Sequence, residues 1–279
     1  MEHTEGRFSG CRGLTLYYRC WLPETEAKSI LLVVHGWAEH SGRYTNLVDH
    51  LVPKGYAIYA HDHRGHGMSE GRRGYVERFS DYLDDLETFI RIVKNEYADT
   101  KIFLVGHSMG ATVATAYTAT GTHQQDLAGL ILSGVGVKPG QSLSSALIPL
   151  ARLMSILTPK VGVMVLDASA ISQDRAVVDA YINDPLVYRG KITCRFGAEM
   201  LNTLQELPSE MSQINIPILI MHGTADRLCD PDGSQLLYER VSSKDKTLKL
   251  YEGFYHEIFN EPGHKQVLAD MGAWLDTRI

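Results

Sequence analysis

No apolar stretch in this chain of 279 residues reaches the roughly 20 residues that a membrane-spanning helix needs. No leader is expected either: Met1-Glu2-His3-Thr4-Glu5 offers neither a basic start nor an apolar run. The expectation is a cytoplasmic protein that touches membranes only peripherally. Cysteine is scarce. Cys11, Cys20, Cys194 and Cys229 show no C-x-x-C spacing, so no disulfide is implied and a reducing compartment is expected. Basic charge is in deficit, with 27 Lys and Arg against 33 Asp and Glu. The net charge of −6 speaks against a nucleic-acid partner. Repeats, low-complexity tracts and long charge blocks are lacking too, which argues against solenoids and disordered arms.

What is present suits a folded chain with one large core, or a core with an insertion. Leu14 to Trp21 reads as a strand paired with the segment before it. Continuous apolar runs follow at Ile30 to Val34, Tyr56 to Ala60, Ile102 to Val105, Leu127 to Leu132, Ile216 to Met221 and Thr247 to Tyr251. Such runs fit strands covered on both faces, as in a parallel sheet. Helical patterns lie between them, at Ala111 to Ala119, Tyr82 to Tyr97, Ser234 to Val241 and Val267 to Leu275. Asp230-Pro231 supplies an N-cap and first-turn proline for the third of these. Alternating strands and helices predict an α/β doubly wound sheet.

From about Val137 to Leu207 the alternation stops. Leu143, Leu147, Leu150, Met154 and Leu157 share a helical stripe flanked by Ile148, Leu153 and Ile156, with Pro149 expected to start or kink the helix. Arg152 is the only charge between Ser142 and Thr158. Such a face is either core or a greasy surface that receives acyl chains or docks on lipid.

Gly106-His107-Ser108-Met109-Gly110 lies between the run ending at Val105 and the helix-compatible run from Ala111. Strand, G-x-S-x-G, helix is the setting of a nucleophile elbow, where a sharp turn exposes the serine hydroxyl and crowds its neighbours. A serine needs a base, and the base an orienting carboxylate. In this kind of sheet the order is Ser, acid, His. Asp226 follows the fifth continuous run and His256 follows the last, both in loops at strand ends. Asp230 is committed to the helix cap, and Asp232 is the other nearby acid. His264 falls past the loop, and His222 precedes the acid. Ser108, Asp226 and His256 are therefore the expected catalytic residues. The backbone amides of Met109 and Trp37 are the expected oxyanion donors, the latter from the loop His35-Gly36-Trp37.

Two further features have competing readings. His61, His63 and His66 have a spacing that could bind zinc, but Gly65 stands where an acid usually precedes the last histidine. A packed glycine-rich loop, with an Asp62–Arg64 ion pair, is the favoured reading, and no metal or organic cofactor is expected. Cys229, three residues past Asp226, reads as a small core residue rather than a thiol whose modification disturbs the site.

The chain resembles the monoacylglycerol lipase and lysophospholipase group of the α/β-hydrolase superfamily. The motifs that carry this are the run from His35 to Tyr44, Asp62 to Ser69, Gly106 to Gly110, Tyr181-Ile182-Asn183-Asp184-Pro185-Leu186, Gly223 to Leu228 and Tyr255-His256-Glu257. The resemblance implies an α/β-hydrolase fold with an inserted cap: core residues 1–136, cap 137–207, core 208–279. It implies the same triad and places Glu39, Arg43 and Tyr181 at the polar end of the pocket, where glycerol would sit. Trp37 departs from the small residue frequent in that family. The expected activity is hydrolysis of fatty-acyl esters of glycerol, monoacylglycerol giving glycerol and fatty acid through an acyl-enzyme. The alternatives are a lysophospholipase, acyltransferase or broad carboxylesterase on the same triad, and a non-catalytic module that keeps the pocket.

Overall fold

The computed structural model describes residues 1–121, 123–137 and 147–279. The chain opens with β1 (Glu2–Ser9) and β2 (Thr15–Leu22), which pair antiparallel. Then β3 (Ser29–Val34), α1 (Thr45–Leu51), β4 (Tyr56–His61), α2 (Ser80–Glu96), β5 (Ile102–His107), α3 (Met109–Ala119) and β6 (Gly129–Ser133) follow. The chain then leaves the sheet for α4 (Leu147–Leu157), β7 (Gly162–Met164), α5 (Arg175–Asn183), β8 (Ile192–Thr193) and α6 (Cys194–Glu210). It returns with β9 (Ile218–Gly223), α7 (Pro231–Arg240), β10 (Lys246–Tyr251) and α8 (His264–Asp276).

The main sheet runs β1-β2-β4-β3-β5-β6-β9-β10. Only the first two pairings, β1 with β2 and β2 with β4, are antiparallel; every later pairing is parallel. The continuous apolar runs owe their character to this arrangement. Every residue of β3, β4, β5, β6 and β9 is buried, because helices cover both faces. The pleat divides each run into two cores. Ile30, Leu32, Val34, Leu104 and Ile220 join Phe89 of α2 and Val113 of α3. Leu31, Val33, Val105 and Met221 join Leu47 of α1 and Leu268 of α8. This is the doubly wound α/β sheet expected from the alternation.

Most expected elements lie within a few residues of their sequence positions. Asp230 caps α7 by accepting from the Asp232 amide at 3.0 Å, with Pro231 in its first turn. Three differences stand out. The first concerns α1, seven residues long and too short to show helical periodicity plainly, which carries a buried Leu47, Val48 and Leu51. The second concerns the stretch without alternation. Among the described residues it holds three α-helices and a two-stranded antiparallel sheet of β7 with β8, and its last helix runs past Leu207 to Glu210. The third is the Asp62–Arg64 ion pair, which does not form. Arg64 instead pairs with Asp85 at 2.7 Å and with Asp81 at 3.4 Å, while Asp62 accepts from the amides of Ser41 and Met68, each at 2.7 Å.

The Leu143 stripe lies partly outside the described residues: Leu143 itself, and the side chains of Leu147, Ile148 and Leu150. Pro149 falls in the first turn of α4. Of the remaining stripe, Leu153, Ile156 and Leu157 are exposed, with Ile156 at 72%.

Candidate active site

Four loops leave the C-terminal ends of β3, β5, β9 and β10 on one edge of the sheet, where open α/β sheets place ligands. Ser108 sits between β5 and α3 with φ 54° and ψ −121°, a strained conformation for a non-glycine residue. Its flanking glycines have a steric reason. A Cβ on Gly110 would lie 2.0 Å from the Val34 carbonyl oxygen, and one on Gly106 would lie 2.6 Å from the Ala111 Cα. The elbow is thus pressed against β3 and against its own helix, and the half-exposed serine is what remains on the outside.

The acid and histidine loops are zipped together. Thr224 N donates to the Tyr251 carbonyl at 2.9 Å and Ala225 N to that of Phe254 at 3.0 Å. Gly223 makes the approach possible, since a Cβ there would meet the Phe254 oxygen at 2.3 Å. This brings Asp226 Oδ2 to 2.6 Å from His256 Nδ1. Asp226 Oδ1 accepts from the amides of Leu228 and Cys229 at 2.8 and 3.0 Å. Burial would raise the Asp226 pKa, but His256, His222 and these amides outweigh it and hold the carboxyl well below its ordinary value. Burial likewise would lower His256, and the Asp226 charge and hydrogen bond reverse this, leaving the imidazole raised above 6.5. Ser108, His256, Gly36 and Trp37 line one small cavity, together with Leu166, Ile171, Tyr181 and Leu228.

The first turn of α3 leaves the Met109 amide without an intrahelical acceptor. On the facing loop, Gly36 N–H is taken by Glu39 Oε1 at 2.5 Å, and the Trp37 amide has no acceptor among the described residues. The Trp37 indole is buried, tilted against Phe196 of α6 at a 4.1 Å centroid distance.

Glu39, Arg43 and Tyr181 also come together. Arg43 Cζ stands 4.8 Å from the Tyr181 ring centre, and its Nε lies 3.5 Å from Glu39 Oε2. Sequence reasoning missed the partner that completes this group. Glu257, next to His256, accepts from Arg43 Nη2 at 2.7 and 3.0 Å. The arginine is thereby held between two carboxylates. Burial, and then the Glu257 charge, push Glu39 up to about 7. Tyr44 donates to Glu39 at 2.8 Å. His222 was also missed. Set aside for preceding the acid, it shares Asp226 Oδ2 at 3.0 Å and is tied to Ser234 through its other nitrogen at 2.7 Å.

The zinc alternative fares poorly. His35 Nε2 accepts from His63 N at 2.9 Å and its Nδ1 binds the Gly36 oxygen at 2.7 Å. His61, His63 and His66 pack edge to face with His35 or with one another, and their rings do not converge on a point. Among the described residues the one cluster with metal-ligand spacing is Cys11, Asp81 and Asp84, which includes none of these histidines. Cys229 is partly buried, and burial first, then Asp226, push its thiol up.

Residues 25–263 match the model of the hydrolase family described as serine aminopeptidase, S33. A monoacylglycerol lipase of Mycolicibacterium smegmatis is 36% identical over 99% of this chain and 98% of its own. The rat monoglyceride lipase is 35% identical over 96% of this chain and 88% of its own. The chain belongs to the monoacylglycerol lipase group of the α/β-hydrolases. Solved structures agree. A Paleococcus ferrophilus monoacylglycerol lipase superposes with TM-score 0.83 at 30% identity, covering both chains fully. A soluble variant of the Saccharomyces cerevisiae monoglyceride lipase, in complex with a substrate analog, gives 0.87 at 27% identity over 99% of this chain and 94% of its own. As a family member this protein is a carboxylic ester hydrolase, and no helix among the described residues is long and apolar enough to cross a membrane.

Proposed function

We propose that this enzyme hydrolyses monoacylglycerols to glycerol and free fatty acid, with Ser108 as nucleophile, His256 as base and Asp226 as its orienting acid. Ser108 Oγ attacks the ester carbonyl while His256 takes its proton through Nε2, the nitrogen left over by the Nδ1–Asp226 bond. The Met109 and Trp37 amides receive the oxyanion. Each such donor is worth about 10²–10³ in rate. His256 then protonates the departing glycerol oxygen, activates a water against the acyl-Ser108 ester, and the acid leaves with Ser108 regenerated.

The observation that carries the head-group assignment is the buried polar group in the same cavity as Ser108. Glu39, Glu257 and Tyr181 line that cavity, and Arg43 Nε, close to Glu39, makes no hydrogen bond. A diol has two hydroxyls that each donate and accept, and this set offers both functions. A plain alkyl ester leaves those groups unmatched. The names borne by the relatives point the same way.

The excursion between β6 and β9 is the cap in this reading, and we infer that it touches lipid. Leu153, Ile156, Leu157, Val161, Val163, Met164 and Val165 are all at least half exposed and close in sequence, and exposed apolar side chains gathered in this way suit contact with lipid. A panel of substrates varying head group and chain length tests the function. We expect 1- or 2-monooleoylglycerol to be turned over with higher kcat/KM than lysophosphatidylcholine or methyl oleate. Equal or better turnover of either competitor overturns the head-group assignment.

A further inference from the structure

The loop that carries the Trp37 amide is held from outside as well as by its own Gly36–Glu39 bond. Ala38 has φ 68°, in the left-handed region that disfavours any residue with a Cβ. Three contacts from the excursion between β6 and β9 support that turn from outside. The Tyr188 amide donates to the Ala38 carbonyl at 2.8 Å. The Asp184 carboxylate takes His40 Nε2 at 2.9 Å. The Trp37 indole lies against Phe196, with Tyr188 edge-on at 6.1 Å. Asp184 is itself oriented, because its Oδ1 accepts from Leu186 N at 2.8 Å just past α5. His40 is oriented as well. Its Nδ1 accepts from Gly42 N at 3.1 Å, which leaves the proton on Nε2, facing Asp184. Both partners are largely shielded, with 6% and 25% of their side chains exposed, so the bond is not a surface pair free to break.

We propose that Asp184 and His40 are positioning residues for the oxyanion hole. The 184–188 segment acts as a strap that holds residues 36–40 in the strained turn and aims the Trp37 amide into the cavity. The strap explains why a motif on a distant part of the chain, Tyr181 to Leu186, belongs to an active site that only its tyrosine touches. It rests on the reading that Trp37 supplies an oxyanion donor, and it does not depend on which ester is the substrate.

The test uses the full chain and p-nitrophenyl butyrate, an ester with no glycerol, so that failure of the head-group assignment leaves it unaffected. Asp184→Ala, His40→Ala and the double variant are compared with wild type for kcat, KM and the rate of inactivation by a fluorophosphonate, which loses fluoride to Ser108 through a transition state whose phosphoryl oxygen needs the same amides. The expected result is a fall in kcat of about ten-fold in each single variant, KM within about two-fold, and a matching fall in the inactivation rate. This is part of the 10²–10³ lost when a donor is removed outright. The double variant should lose no more than the worse single, since both remove one bond. Should Asp184→Ala fail to fold, Asp184→Asn keeps one acceptor oxygen and should show the same pattern at smaller size. Unchanged kcat in folded variants, a change confined to KM, or losses that multiply in the double variant would each overturn the proposal.

Discussion

His256 feels two opposed effects, and their balance sets the working pH. Burial removes water from the ring and disfavours its charge, while Asp226 at 2.6 Å favours it. The net shift is upward. A general base works only when neutral, so activity is lost as pH falls through this raised value. The acid limb of kcat/KM should therefore lie above 6.5, read from a pH–rate profile on a neutral ester. A limb below 6.5 would mean that the Asp226 charge does not reach the ring in solution. Asp226→Asn should lower kcat by roughly 10⁴, the cost of a misdirected imidazole tautomer. Ser108, Asp226 and His256 were legible in the sequence because each follows an apolar strand in a fixed order. Glu257, His222 and the Asp184–His40 bond were not. Their roles depend on which loops face each other, and the last pair stands 144 positions apart in the chain. A weak signal existed for Glu257: an arginine expected inside a pocket needs an anion, and Glu257 adjoins His256, which the sequence already placed at that pocket.

At the scale of elements, the strands of the sheet were legible because burial on both faces leaves no alternative to continuous apolar runs. The elements between β6 and β9 were not, since α5 and α6 each bury only a narrow face, such as Val178 and Tyr181 on α5. The elbow shows how tightly elements meet. Strand β3 passes so close to α3 that only a hydrogen fits on Gly110. Gly110→Ala should destabilise the fold by about 1–3 kcal/mol or more, seen as a lower urea midpoint, because the clash is with backbone that cannot rotate away. An unchanged midpoint would show that α3 can shift at no cost, and the strain at Ser108 would then need another source.

On the scale of the whole molecule, the catalytic edge of the sheet and the apolar patch belong to one assembly. The excursion between β6 and β9 supplies Tyr181 and Ile171 to the cavity and Ile156 and Val163 to the surface. Docking through that surface would bring a lipid-dissolved ester close to the pocket that receives it. Neutral or anionic vesicles should co-sediment the wild-type protein. Replacing Ile156 and Val163 together by aspartate should abolish this while p-nitrophenyl butyrate hydrolysis stays within about two-fold, because two charges at the patch cost several kcal/mol of insertion. Vesicle binding that survives the double substitution would assign the contact to another face. Net charge and composition could exclude classes of partner, but the patch becomes visible only when β7 and the end of α4 are seen exposed together.

The central claim is that Ser108 forms the acyl-enzyme. Incubating wild type and Ser108→Ala with a fluorophosphonate, followed by intact mass measurement and peptide mapping, tests it most directly. The account predicts one adduct per wild-type chain, located on Ser108, and none on the variant. Equal labelling of both proteins would contradict it.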